Sequence, residues 1–236
     1  MGVVIPAHNE ERHLGACLRS VQASTALAAP IPVVIVVTAD ACTDATAAVA
    51  VRAGAHVLST HCHNVGAARA VGVERALELL DRAGPDVWLA MTDADTLVPT
   101  GWLAHQVQWA RRGYDAVLGT IRLAPSTTAL LLEGRHNAQY FHTRRVSETQ
   151  QAWEHPHVHG ANLGVSASAY LRVGGFAALP TGEDHDLAAR LSEAGSRIAR
   201  TDQYPVLTAG RLRGRAPCGL SDVLASLHAA LTNPVD

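Results

Sequence analysis

Between residues 2 and 91 the chain repeats one order: a short apolar run, a polar cluster, then a segment with apolar residues at helical spacing. Strands buried on both faces read as continuous apolar runs, and such strands alternating with helices are how a parallel sheet with crossover helices is written. The strands expected are Gly2 to Pro6, Pro32 to Val37, Ala55 to Ser59 and Asp86 to Met91. The first helix is expected to start from an Asn9 cap, with Glu10 and Glu11 in its first turn and Leu14, Cys17, Leu18 and Val21 on one face. The second should start near Thr43 or Asp44. The third should run from Asn64 to Leu80, with Val65, Ala68, Val73, Leu77 and Leu80 sharing a face.

In an open sheet of this type ligands bind beyond the carboxyl ends of the strands. The polar clusters AHNEE, TADACTD, STHCHN and TDADT follow the four strands in turn, so all of them fall at that edge. One site would collect them. In TDADT, Asp93 and Asp95 sit two residues apart; on an extended segment they face the same way, with Cα atoms roughly 6.5–7 Å apart. Two carboxylates so placed repel unless a cation joins them, and Mg2+ or Mn2+ is the oxygen-preferring choice. The competing reading is that both acids cap a turn or the helix that begins near Thr100. The pattern D-x-D does not decide between them alone.

The second half is less regular. Trp102 to Arg112 reads as a helix, Ala116 to Leu123 as a strand and Thr127 to Gln151 as a long helix. GEDHDLAARLSEAG reads as a loop entering a helix with Leu187 and Leu191 inward, RIAR and PVLT as short strands, and Leu220 to Leu231 as a helix. With 236 residues and 48% apolar composition, one folded unit with a substantial core is expected. A formal charge of −2 recommends neither a nucleic-acid surface nor an anionic membrane. All 19 basic residues counted as Lys plus Arg are arginines, which removes lysine-dependent phosphate loops and Schiff-base chemistry. Arginine remains well suited to clamp phosphate oxygens. Cys17, Cys42, Cys62 and Cys218 form no C-x-x-C pair, so a reduced, cytoplasmic setting is expected rather than a zinc knuckle or a disulfide framework. The longest apolar run, ALAAPIPVVIVV, is interrupted by Pro30 and Pro32, and no signal peptide or transmembrane segment is expected.

Taken together, VVIPAHNEE, VVTADACTDAT, NVGAARAVG, TDADT, GANLGVSASAYLRVGGF and GEDHDLAARL, in that order over residues 3 to about 195, resemble glycosyltransferase family 2. The resemblance implies an α/β fold of the GT-A type, a Rossmann-like, mostly parallel sheet flanked by helices, with a nucleotide-binding half (1–98) and an acceptor-binding half (99–236). It implies that Pro6, His8, Glu10, Asp40, Arg69, Asp93 and Ala94 border the nucleotide, with His8 against the base and Asp40 accepting a ring N–H. It further implies that Asp95, with Asp93, holds Mn2+ or Mg2+. Asp184 takes the position of the general base, and Glu183 orients the acceptor or the base. The departures are Ala39 beside Asp40 where the family commonly has two acids, and His8 where it usually has an aromatic residue. The residues alone leave alternatives open: Asp40 belongs to a turn, or Asp184 caps the helix, with Glu183 and Asp186 not separable from it.

Arg211, Arg213 and Arg215 alternate, so an extended chain offers them on one side, either to a pyrophosphate or to solvent. His155, His157 and His159 alternate as well. Three imidazoles at strand spacing make a poor closed zinc site, so a loop lining the acceptor pocket is preferred, with His159 and Asn162 as its contacts. His61 and His63 read as surface residues. The expected activity is inverting, metal-dependent transfer of a sugar from a UDP- or GDP-linked donor to an acceptor hydroxyl, in the cytoplasm or peripherally at the inner membrane face. Lipid-linked, polysaccharide, protein and small-molecule acceptors all remain open. The alternatives are a sugar nucleotidyltransferase, which expects a glycine-rich first loop and a lysine, and a non-catalytic nucleotide-sugar-binding protein.

Overall fold

Strand β1 (Gly2–Ala7) lies at the point from which the sheet grows in both directions. The computed structural model describes residues 1–80, 87–124, 145–146 and 153–210. On one side of β1 lie β2 (Val34–Asp40) and β3 (His56–Thr60), and on the other β4 (Trp88–Met91), all parallel. Beyond β4 come β9 (Leu163–Ser166), antiparallel to both neighbours, then β6 (Ala116–Leu123), β10 (Ile198–Thr208) and the short β5 (Thr96–Leu97). The ends of β1 and β4 therefore flank the switch in strand order, where a crevice opens in sheets of this kind. The expected α/β fold with a mostly parallel sheet is present, and β7 (Arg145–Val146) and β8 (Trp153–Glu154) form a separate antiparallel pair.

Each face of the sheet carries its own helices. Val3 and Ile5 of β1 join one core with Leu14, Leu18 and Val21 of α1 (Leu14–Ala28) and Trp102 and Leu103 of α4 (Trp102–Arg111). Val4 joins the opposite core with Val73 and Leu77 of α3 (Val65–Leu79) and Leu187 and Leu191 of α6 (Glu183–Glu193). This alternation, apolar on both sides, is the cause of the continuous apolar runs in the sequence. Gly72 lets α3 lie close, because a Cβ there would meet Val4 Cγ1 at 2.6 Å and Thr38 Oγ1 at 2.7 Å. The remaining helices are α2 (Thr46–Arg52) and α5 (Ala167–Arg172). Among the described residues no helix is long and apolar enough to cross a membrane.

Several boundaries differ from those expected. Helix α1 begins at Leu14, not after Asn9, because Asn9 takes a φ of 53° and Glu10 O closes a turn onto His13 N and Leu14 N. Helix α2 begins at Thr46, whose amide is held by Asp44 Oδ1 at 2.9 Å. Helix α3 starts as expected, with Asn64 Oδ1 accepting from Ala67 N at 2.8 Å. RIAR and PVLT belong to one strand, β10, which shifts register between Thr201 and Val206. Arg145–Val146 is a strand where the end of a long helix was expected; the rest of that helix, Arg211, Arg213, Arg215 and the Leu220 to Leu231 helix lie outside the described residues.

Candidate functional site

The loops after β1, β2 and β3 each hold one non-glycine residue at positive φ: Asn9 at 53°, Ala41 at 48° and His63 at 49°. Left-handed backbone disfavours a side chain, and such strain gathers where a ligand edge is built. Asn9 Oδ1 accepts from Thr43 N at 2.8 Å, which turns its amide nitrogen toward His8 Nε2 at 3.3 Å. His8 Nδ1 lies 2.7 Å from the Asp40 carbonyl oxygen. A carbonyl only accepts, so Nδ1 carries the proton and Nε2 keeps its lone pair for Asn9. Pro6 is buried in β1 opposite Thr38. Glu10 is buried; its amide donates to Thr46 Oγ1 at 2.7 Å and its carboxylate meets His13 Nδ1 at 3.1 Å.

Asp40 is also buried, and its carboxylate holds the following loop. Oδ1 accepts from Cys62 N at 2.6 Å and Thr60 Oγ1 at 3.0 Å, and Oδ2 accepts from Asn64 N at 3.1 Å. Three of about four lone-pair directions are thus taken inside the protein. The turn role left open from the sequence is present in the geometry.

The Asp93–Asp95 segment is not extended. Thr96 N donates to Asp93 O at 3.1 Å and closes a turn, so the two acids are held by different partners instead of standing at strand spacing. Asp93 Oδ1 receives Arg69 Nη2 at 2.6 Å while its side chain stays 35% exposed. Asp95 Oδ1 lies 3.5 Å from the hydroxyls of both Thr96 and Thr208, and Ala94 between them is buried. Beneath the turn Cys17 Sγ donates to Asp93 O at 3.3 Å, and burial with the neighbouring acids Asp93 and Asp95 pushes its thiol well up, so it stays protonated. Neither Cys17 nor Thr208 carried a sequence signal, because their contribution depends on how α1 and β10 pack under the turn.

Among the described residues no group of three or more His, Cys, Asp or Glu side chains is arranged for a metal ion. Two oxygen-donor acids at a strand end still fit Mg2+ or Mn2+, which commonly take one or two protein carboxylates and complete their shell with water and phosphate oxygens.

The start of α6 sorts three acids that the sequence left together. Glu183 pairs with Arg69, and Asp186 Oδ2 receives Arg190 Nε at 3.0 Å. Asp184 forms no salt bridge among the described residues; its Oδ2 accepts from Gly160 N at 2.7 Å and its Oδ1 from His185 N at 2.8 Å. Burial raises the Glu183 carboxyl, an effect that Arg69 opposes. Burial also disfavours the Arg69 charge, but Asp93, Glu183 and Asp184 outweigh it and hold the guanidinium above its ordinary value.

The His-rich stretch reaches the same place. His155, His157 and His159 stack, with ring centroids 5.8 and 6.1 Å apart. His155 is buried with Nε2 at 3.1 Å from Leu118 O and 3.2 Å from Thr201 O, so it serves the sheet. His159 lies beside Asp184 electrostatically, and burial lowers its pKa to about 3 despite that acid, which keeps the ring neutral. Asn162 belongs to the scaffold. Its Oδ1 accepts from Trp102 Nε1 at 2.8 Å and its Nδ2 donates to Thr120 O at 2.9 Å and Tyr204 O at 3.0 Å, which spends both amide donors away from any ligand. Its position beside His159 in sequence made it resemble a pocket residue. The short helical turn Gly160–Asn162 aims the side chain into the sheet instead.

The model of the family described as glycosyl transferase family 2 matches residues 2–174. Among solved structures, the chain is similar to the mannosyltransferase PcManGT from Pyrobaculum calidifontis in complex with GDP-Man and Mn2+, at 22% identity and a TM-score of 0.60 over 91% of this chain and 58% of that one. It is similar to S. aureus TarS 1-349 in complex with UDP-GlcNAc, at 14% identity and a TM-score of 0.61 over 100% of this chain and 67% of that one. It is also similar to the glucosyl-3-phosphoglycerate synthase of Mycobacterium tuberculosis in complex with Mn2+, UDP and phosphoglyceric acid, at 18% identity and a TM-score of 0.57 over 100% and 79%. These likenesses establish the fold. The chain spans 58% of the length of the mannosyltransferase. No curated protein matches it.

Proposed function

The chain belongs to glycosyl transferase family 2, and from that premise we propose that it transfers a sugar from a UDP- or GDP-linked donor to an acceptor hydroxyl with inversion at the anomeric carbon. The observation that carries this reading is the sorting of the acids at the start of α6. Glu183 is committed to Arg69 and Asp186 to Arg190, whereas among the described residues Asp184 is held by backbone N–H groups alone. Each Asp184 oxygen accepts one such bond and retains a second lone pair. A carboxylate that is oriented but not neutralised suits a general base.

Asp184 takes the proton from the acceptor hydroxyl as that oxygen attacks the face opposite the leaving diphosphate, so an α-linked donor gives a β-linked product. His159, kept neutral beside it, lines the acceptor side. His8 and the loop held by Asp40 border the base. Asp93 and Asp95 would hold Mn2+ or Mg2+, which when bound supplies charge neutralisation for the departing diphosphate. The relatives solved with UDP-GlcNAc, UDP or GDP-Man, two of them with Mn2+, support a donor and a metal of these kinds.

A non-catalytic nucleotide-sugar-binding protein is the second reading, favoured by the backbone bond through which Asp184 steadies the Gly160 loop. Asp184→Asn separates the two. The transfer reading predicts a loss of turnover of about 10²–10⁴-fold, the usual worth of a positioned base, with UDP and GDP affinity in the presence of Mn2+ within about threefold of wild type. Unchanged turnover in a folded variant would remove Asp184 from the mechanism.

A further inference from the structure

Arg69 joins two parts of the site that come from distant segments. Its side chain, 4% exposed, leaves α3 and donates through Nη2 to Asp93 Oδ1 at 2.6 Å and through Nη1 to Glu183 Oε1. Asp93 opens the acid turn after β4. Glu183 begins α6 and immediately precedes Asp184.

The guanidinium is also fixed in its plane. A Cβ on Gly160 would overlap Cζ, Nη1 and Nη2 equally, so the Gly160 backbone lies flat over the face of the fork. The Phe176 ring centroid is 5.8 Å from Cζ. Phe176 is steadied in turn, its amide donating to the Tyr170 hydroxyl at 3.0 Å, while Arg190 holds Gly175 O at 2.7 Å. Gly160 N completes the circuit by donating to Asp184 Oδ2 at 2.7 Å. One turn earlier on α3, Gly66 has no room for a side chain, because Ala177 O and Glu183 Cβ occupy that place. Among the described residues the buried Arg69 Nε has no partner. The fork is therefore seated by its two acids and its flat contacts, not by complete hydrogen bonding.

Resting on the glycosyltransferase reading above, we propose that Arg69 is a positioning residue whose planar fork sets the Glu183–Asp184 turn in register with the Asp93–Asp95 turn. Base and donor then meet at a fixed separation. A lysine ammonium carries the same charge, but it is a point donor on a flexible stem and cannot lie flat under Gly160 while spanning both acids.

The test compares Arg69→Lys and Arg69→Met with wild type, measuring hydrolysis of UDP-GlcNAc, UDP-glucose and GDP-mannose with Mn2+, water standing in as the acceptor, per folded molecule by calorimetry. Positioning predicts that kcat falls about 10–100-fold in both variants while the donor KM stays within about threefold, the signature of geometry lost at the reacting step and not of weaker binding. Lysine restoring kcat to within about threefold of wild type would show that charge suffices and overturn the proposal. A higher KM at unchanged kcat would assign the arginine to donor binding and overturn it as well. Gly160→Ala keeps every charge and presses on the face of the fork. It should lower kcat in the same sense, and it decides the matter if the position-69 variants do not fold; unchanged kcat there sinks the idea. A wild type that releases nothing from any of the three donors would sink the glycosyltransferase reading itself, an outcome distinct from an active wild type with indifferent variants.

Discussion

Replacing Asn162 with alanine should destabilise the protein strongly while leaving the donor end intact. The Asn162 side chain ties three elements together: Trp102 of α4 through its oxygen, and Thr120 of β6 and Tyr204 of β10 through its nitrogen. Trp102 is 0% exposed and Asn162 4%, so water cannot replace the lost partner. An indole N–H left unpaired in the core costs about 1–3 kcal/mol. Two carbonyls that each lose a donor, and the space opened against Gly119, bring the total to roughly 3–5 kcal/mol. For a chain of this size each kcal/mol lowers Tm by about 2–4 °C, so the transition should fall by roughly 10 °C. Asn162→Asp should be at least as harmful, because it keeps the acceptor for Trp102 but turns a carboxylate toward two carbonyl oxygens. Differential scanning calorimetry reads the shift, and calorimetric titration of UDP with Mn2+ well below the transition reads the donor end. A Tm within about 2 °C of wild type would show that the three bonds of this amide do not hold the elements together. A stable variant with lost turnover would return the amide to a ligand.

Ala41→Gly relieves a left-handed alanine at φ 48°; because glycine also gains freedom in the unfolded chain, the net rise in Tm should be about 1–2 °C in a thermal melt. Acid should weaken the fold through His105, whose pKa is lowered to about 4 by burial and whose Nε2 accepts from Trp109 Nε1 at 2.9 Å. The unfolded imidazole titrates near 6.5 and the folded one near 4, so the unfolded state binds more protons between those values and stability is lost as pH falls through that window. The full loss is about 3 kcal/mol. Urea unfolding from pH 7 to 4.5 should show it, and His105→Gln should flatten the slope; an unaltered slope would clear His105.

The sheet was legible because its central strands are buried on both faces. Val3, Val4 and Ile5 are apolar whichever core they enter, so β1, β2 and β4 stand out as runs, whereas β3 is only partly buried. The polar clusters at the strand ends were legible for the same reason, because each follows an apolar run directly. What the residues could not disclose was partnership. Asp93 and Asp95 looked like an extended pair because nothing local shows that Thr96 N closes a turn onto Asp93 O. The acids of GEDHD were inseparable until Arg69 and Arg190, 114 and 4 residues away, were seen to claim Glu183 and Asp186. Helix α1 was placed too early because AHNEE has the composition of a helix start, whereas Asn9 spends its side chain on Thr43 and His8.

The measurement closest to the centre of the account is calorimetric titration of UDP and GDP into wild type and Asp95→Ala, with and without Mn2+. Mn2+ should tighten nucleoside-diphosphate binding by at least about tenfold in wild type, and most of this gain should disappear in the variant, as expected when an acid and a phosphate share one ion. Equal affinities in all four titrations of a nucleotide that binds would contradict it.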